Sequence, residues 1–192
     1  MITLIYAHPY PLHSRANRAM LEAVQDLPGL QIRDLYALYP DFHIDSRAEQ
    51  AALADSSTVV LQHPLHWYHA PALLSLWFEK TLAYGWAYGH DPAGQPTRAL
   101  ENKRLLWAVS TGGAERAYHP DGYNHHTMGQ IATPIHQTAL YCGLQWLEPH
   151  IVHGANRLSA QELAAAAQTY RARLLAELAL SSPSLLELGH GH

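Results

Sequence analysis

The amino-acid sequence predicts an α/β fold, a doubly wound five-stranded parallel sheet, on three observations. Short apolar runs rich in β-branched and aromatic residues occur five times, at 2–8, 30–35, 58–63, 105–110 and 145–152. They are too short for buried helices and are bounded by proline, glycine or polar residues. Each is followed by apolar residues at helical spacing, the alternation that a parallel sheet with crossover helices requires. No internal repeat or low-complexity linker divides the 192 residues, so 1–180 reads as one domain and 181–192 as a frayed tail.

The first strand, Ile2 to His8, is stopped by Pro9 and Pro11. Ser14 then stands as an N-cap before Ala16, Ala19, Met20, Ala23, Val24 and Leu27. Pro28-Gly29 turns the chain into Leu30–Leu35, whose alternation suits a half-exposed strand. An aromatic loop, Tyr36 to Ile44, leads to a helix over Ser46–Asp55 with Ala48, Ala51, Ala52 and Leu53 inward. Thr58 to His63 is the third strand, and Pro64 ends it.

From Pro71, the residues Leu73, Leu74, Leu76, Trp77, Phe78 and Leu82 make a helix apolar nearly all round, broad enough to offer part of itself to a second subunit. Tyr84 to Leu100 is a long, turn-rich connection of the kind that carries function. Leu105–Ser110 is the fourth strand and opens into Thr111-Gly112-Gly113. A polar insert, Ala114 to Gly129, precedes a helix over Ile131–Tyr141 with Pro134 near its start. Gln145–Val152 is the last strand, and Ser159-Ala160-Gln161-Glu162 is a capping box opening an Ala- and Leu-rich helix to about Leu178. This order is that of a flavodoxin-like doubly wound sheet.

Composition narrows the function classes. Net charge is −4 with only 12 Lys and Arg, so no basic face is available for a nucleic-acid backbone. The one cysteine, Cys142, forbids an internal disulfide and reads as a small buried hydrophobe. No apolar stretch approaches the ~20 residues needed to span a bilayer, and no cleavable leader opens the chain, so a cytoplasmic protein is expected. Among 15 histidines, His63, His66 and His69 form one cluster and His119, His125 and His126 another, but neither has a metal-ligand pattern, and no metal is expected.

Three loops fall at the carboxyl edge of the predicted sheet, where such folds bind ligands: His8 to Asn17, Pro64 to Tyr68, and Ser110 to Gly113. In the first, a helix N-terminus with Ser14, Arg15, Asn17 and Arg18 forms a phosphate cradle, with His8 at the strand tip. A Ser-capped βα turn accounts for that segment equally well when it is read alone. Pro64, Leu65, His66, Trp67 and Tyr68 put a rigid turn and two aromatics above the sheet, while Thr111-Gly112-Gly113 lets bare backbone N–H groups approach a ligand. A core cap and a simple turn are the alternatives; jointly, the three loops suit a flat heteroaromatic ring bearing a phosphate. An isoalloxazine needs such donors at its polar edge.

Five ordered motifs carry a resemblance. They are His8-Pro9-Tyr10-Pro11, Ser14-Arg15-Ala16-Asn17, Pro64 to Pro71, Gly85-Trp86-Ala87-Tyr88-Gly89 and Ser110-Thr111-Gly112-Gly113. Over nearly the whole chain the sequence resembles the flavodoxin-like NAD(P)H:quinone oxidoreductases, the DT-diaphorase family. The likeness is closest to its small bacterial members, ancillary subunits of glutathione-gated potassium efflux systems, through Tyr39-Pro40-Asp41-Phe42 and Tyr141-Cys142-Gly143-Leu144. The resemblance implies that His8, Ser14, Arg15, Ala16 and Asn17 hold the flavin phosphate and ribityl chain. It assigns Leu65, His66, Trp67 and Tyr68 to one side of the ring, and Ser110, Thr111, Gly112 and Gly113 to its polar edge. The family usually has Gln at His66 and Thr at Ser110. Its catalytic Tyr matches Tyr118, whereas its His falls at Asn124, with His125 one residue beyond.

The implied activity is ping-pong transfer of two electrons from NAD(P)H to a quinone, with Tyr118 and His125 as proton donors. FMN is expected, with FAD as the alternative, because Ser14, Arg15 and Asn17 suffice for one phosphate and no second basic pocket is visible. The resemblance also implies a homodimer, built around the Leu73–Leu82 helix, with Tyr84 to Tyr88 near the partner's flavin. A second reading makes the chain a flavin-binding regulatory subunit of a membrane potassium efflux transporter, lying at the inner face of the membrane. A one-electron carrier is disfavoured, since such proteins are more acidic and have a Thr- and Gly-rich phosphate loop.

Overall fold

A computed structural model describes residues 1–181; the expected tail lies outside them except for Ser181, which closes the last helix. Strands β1 (Ile2–Tyr6), β2 (Leu30–Asp34), β3 (Thr58–Pro64) and β4 (Arg104–Ser110) are parallel, in the order β2-β1-β3-β4. Two short strands, β5 (Gln145–Trp146) and β6 (His150–Val152), share the free edge of β4. The fold is the flavodoxin-like doubly wound sheet that the sequence predicts.

Strand residues alternate between two apolar layers, as the pleat dictates. Ile5, Leu61 and Trp107 face α3 (Ser46–Ala54), α4 (Ala72–Thr81) and α5 (Met128–Tyr141), together with Leu53, Trp77 and Ile135. Leu4, Val60 and Leu106 face α1 (Ala16–Val24) and α6 (Ala160–Ser181), together with Met20, Val24, Tyr170 and Leu174. A one-turn helix, α2 (Leu35–Leu38), capped by Asp34, occupies the start of the aromatic loop.

Four expectations are corrected. The strand expected over Gln145–Val152 is two pieces. Arg104 pairs with Gln145 but Ala108 with His150, so the edge carries one extra residue, and Pro149, lacking an N–H, sits in the gap. Helix α5 begins at Met128, earlier than expected, because Thr127 and Gln130 form a capping box; Pro134 is therefore inside it. In α3, Ala51 is exposed, and the inward residue is Glu49, whose carboxylate takes Tyr39 Oη–H at 2.6 Å, Trp77 Nε1–H at 2.8 Å and the Arg33 guanidinium. Helix α4 spends most of its apolar girth within the chain: Leu73, Leu74 and Trp77 are buried, and Leu76 and Phe78 are partly covered by the same core.

Candidate functional site

The carboxyl ends of β1, β3 and β4 open into a cleft of about 290 Å³. From the first loop, His8, Ser14, Arg15, Ala16 and Asn17 line it; from the second, Pro64, Leu65 and His66; from the third, Ser110, Thr111 and Gly112. Tyr10, His13, Ala155 and Asn156 complete the lining. The last two come from the turn after β6, a segment the sequence reading passed over although the doubly wound order brings every such turn to this edge.

At the start of α1, Ser14 is extended and buried, and its Oγ accepts from Arg18 N–H at 3.1 Å. The N–H groups of Arg15, Ala16 and Asn17 have no acceptor among the described residues. Three free donors at a helix N-terminus suit an anion. Arg15 turns its guanidinium to the carbonyls of Asn156 and Leu158, at 2.9 and 2.7 Å, and so clamps the last turn beside the cleft. Tyr6 lies beneath, its phenol raised to about 12 by burial although the Ser14 hydroxyl beside it opposes the shift.

His8 is buried and accepts from Tyr10 N–H through Nδ1 at 3.1 Å, so its neutral proton sits on Nε2. Burial, and then the nearby His66, lower its pKa to about 4. His66 stands edge-on to it with ring centroids 6.4 Å apart, and burial lowers its pKa also.

Asn17 is 2% exposed; its Nδ2 donates to Ser110 Oγ at 2.7 Å, and its Oδ1 has no partner among the described residues. Leu65 N–H donates to the Ser110 carbonyl at 2.8 Å and so joins the second loop to the third. Gly112 and Gly113 donate their N–H groups to no described acceptor. A side chain at Gly113 would meet the Tyr118 ring and hydroxyl at 3.2 Å, so glycine is what lets Tyr118 lie over the turn.

Beyond His66 the chain makes a two-residue turn, with mutual His66–His69 backbone bonds of 3.0 and 2.8 Å and positive φ at Trp67 (49°) and Tyr68 (63°). It lifts Trp67 to 94% exposure, outside the cleft lining. Tyr68 donates its hydroxyl to Asn124 Oδ1 at 3.0 Å, and with Tyr123, His125, His126 and Gln130 it walls a second, open hollow at the start of α5. His125 therefore faces this hollow, whereas Tyr118 packs on His153 at 5.4 Å between centroids. Sequence reasoning missed His153, which lies within 3.2 Å of Thr111 Oγ1.

The family model for the flavodoxin-like fold matches residues 1–174. A glutathione-regulated potassium-efflux system ancillary protein KefF of an Enterobacter species is 50% identical over 175 residues, 91% of this chain and 96% of that protein. The general stress protein 14 of Treponema denticola, solved in complex with FMN, shares 32% identity and a TM-score of 0.85 over 91% of this chain and 98% of its own. An NADPH-quinone reductase structure from P. pentosaceus aligns with a TM-score of 0.79 at 24% identity, over 89% of this chain and 95% of its own, a likeness of fold. With motifs, strand order and relatives in agreement, the chain belongs to the flavodoxin-like family, beside the ancillary proteins of glutathione-regulated potassium efflux.

Proposed function

We propose that the chain is a flavin-dependent NAD(P)H:quinone oxidoreductase that holds FMN in the cleft. The observation that carries the reading is a set of groups at one sheet edge that have no partner among the described residues: three N–H donors at the start of α1, two at Gly112 and Gly113, and one buried acceptor, Asn17 Oδ1. A phosphate meets the first set, and a ribityl hydroxyl satisfies the Asn17 oxygen. Bound there, FMN would accept a hydride from NAD(P)H and return two electrons to a quinone.

The chain's own residues then orient and exclude. His8 and His66, neutral at pH 7, bring no charge against the ring, and Leu65 and Pro64 keep water from one side. The Gly112 and Gly113 amides favour negative charge at the polar edge without reorganising. Tyr118, held over Gly113, donates a proton to the acceptor oxygen, with His125 as a second donor from the adjoining hollow. Tyr84, 65% exposed, and Tyr141, 66% exposed, each ring-packed against Tyr88, give a homodimer an apolar face beside α4.

A second reading, a regulatory subunit docked from the cytoplasm on a potassium efflux transporter, is favoured by the 50% identity to ancillary proteins of that system. No helix among the described residues is long and apolar enough to cross a membrane. The experiment is direct: the purified protein should be yellow, bleach with NAD(P)H, regain colour with a simple quinone, and release a flavin of FMN mass. An FAD mass overturns the choice of flavin. A flavin-loaded protein that oxidises NAD(P)H with no quinone leaves the regulatory reading.

A further inference from the structure

We infer that Tyr170, on α6, and Gln62, on β3, are positioning residues for the flavin cleft and reach it through one buried hydrogen-bonded chain. The inference rests on the flavin reading above. Tyr170 and Gln62 are both 0% exposed. Tyr170 Oη–H donates to Gln62 Oε1 at 3.0 Å, Gln62 Nε2 donates to the Asn17 carbonyl at 2.8 Å, and Asn17 Nδ2 donates to Ser110 Oγ at 2.7 Å. The pairs are separated by 108, 45 and 93 residues in sequence, so only the fold brings them together.

The first two links fix the backbone that carries the third. Reversing the Gln62 amide would set its oxygen against the Asn17 carbonyl, oxygen on oxygen, where both residues of the pair are buried. Its orientation is therefore single, and its Nε2 pins the first turn of α1, the turn whose free N–H groups face the cleft. With Asn17 Nδ2 turned to Ser110, a neighbouring acceptor and donor are left to a ligand. One is the Asn17 Oδ1 acceptor, which has no partner among the described residues. The other is the hydroxyl hydrogen of Ser110, whose oxygen already accepts. A buried acceptor beside a buried donor is the complement of a hydroxyl that both gives and takes a hydrogen bond, as on a polyol chain. Tyr170 thus holds, from α6, the turn that carries Asn17 and its reading of a ribityl chain.

The test is FMN and riboflavin titration of protein stripped of flavin, followed by fluorescence quenching, on the parent, Tyr170→Phe, Asn17→Ala and the double variant. Tyr170→Phe should weaken both ligands by about tenfold, since riboflavin keeps the ribityl chain but not the phosphate. In the Asn17→Ala background, which keeps the carbonyl that Gln62 holds but deletes the amide that faces the ribityl chain, the same change should cost less than about twofold in riboflavin binding. A Tyr170→Phe variant that melts earlier yet binds both ligands like the parent overturns the inference and leaves the flavin reading intact. Fully multiplicative losses in riboflavin binding by the double variant overturn it too. A parent that binds neither ligand overturns the flavin reading and the inference together. If Tyr170→Phe does not fold, the paired change Tyr170→Phe with Gln62→Met, which removes both buried polar partners together and with them the donor to the Asn17 carbonyl, carries the same expectations.

Discussion

Lowering the pH should remove about 2 kcal/mol of stability through His63 alone. This imidazole on β3 is 0% exposed, its Nδ1–H donates to the Pro64 carbonyl at 2.8 Å, and its Nε2 accepts from Trp107 Nε1–H at 2.8 Å. Both nitrogens are committed to the neutral ring, and burial lowers the pKa from 6.5 to about 4, opposed by the Pro64 bond and aided by the nearby His66 and His69. Because the folded value lies below the unfolded one, the unfolded chain takes the proton first. The contribution is complete above about 6.5 and is lost as the pH falls through the interval toward 4. At 1.36 kcal/mol per unit the whole interval is worth about 3 kcal/mol, and about 2 kcal/mol is gone by pH 5. Urea unfolding followed by circular dichroism at pH 7.5, 6.5, 5.5 and 5 measures the loss. His63→Gln, which offers both a donor and an acceptor, is the reference: less stable at pH 7.5, it should lose about 2 kcal/mol less than the parent by pH 5. His8, also depressed to about 4, titrates in both proteins and cancels in the difference. Parallel stability curves for parent and variant would refute the assignment.

Further expectations concern the site and the assembly. Tyr118→Phe should lower quinone-reductase turnover by about tenfold, or about 1.4 kcal/mol, with flavin content unchanged, because it deletes a donor without touching the cradle; steady-state kinetics on flavin-normalised protein decide it. Arg15→Ala should double the flavin dissociation rate or more by freeing the turn at Asn156 that the guanidinium clamps, a loss visible in stopped-flow fluorescence. Light scattering at micromolar concentration should give twice the chain mass, and Tyr84→Ser with Tyr141→Ser should return it to the monomer.

What the sequence disclosed follows a physical division. Strand and helix order was legible because the central strands β1, β3 and β4 are buried and read as apolar runs, because β2 alternates, and because Ser159 and Glu162 announce α6. The start of α5 was equally readable from Thr127 and Gln130, a signal masked by the histidines before it. The break between β5 and β6 was written in Pro149. Glu49 was not readable: its partners Arg33, Tyr39 and Trp77 lie 16, 10 and 28 residues away and meet only when β2, α3 and α4 pack. In the cleft, the loops were found from topology, but which atoms remain free was not. Arg15 reads as a phosphate ligand until the fold shows two carbonyls beside it, and Asn17 Oδ1 emerges as the open acceptor only once Ser110 has taken the amide.

The turn at Trp67 and Tyr68 has an engineering consequence. Side chains with a Cβ in that left-handed geometry cost of order 1 kcal/mol each, and a two-residue hairpin turn of this kind is the natural home of Asn-Gly. A search for sturdier variants would therefore be drawn to this tip and would be rewarded there with a higher melting temperature. The same exchange would strip away the indole that stands almost wholly in solvent and the phenol that ties the tip to Asn124. Durability selected without a functional screen should thus erode this protein first at this exposed aromatic pair.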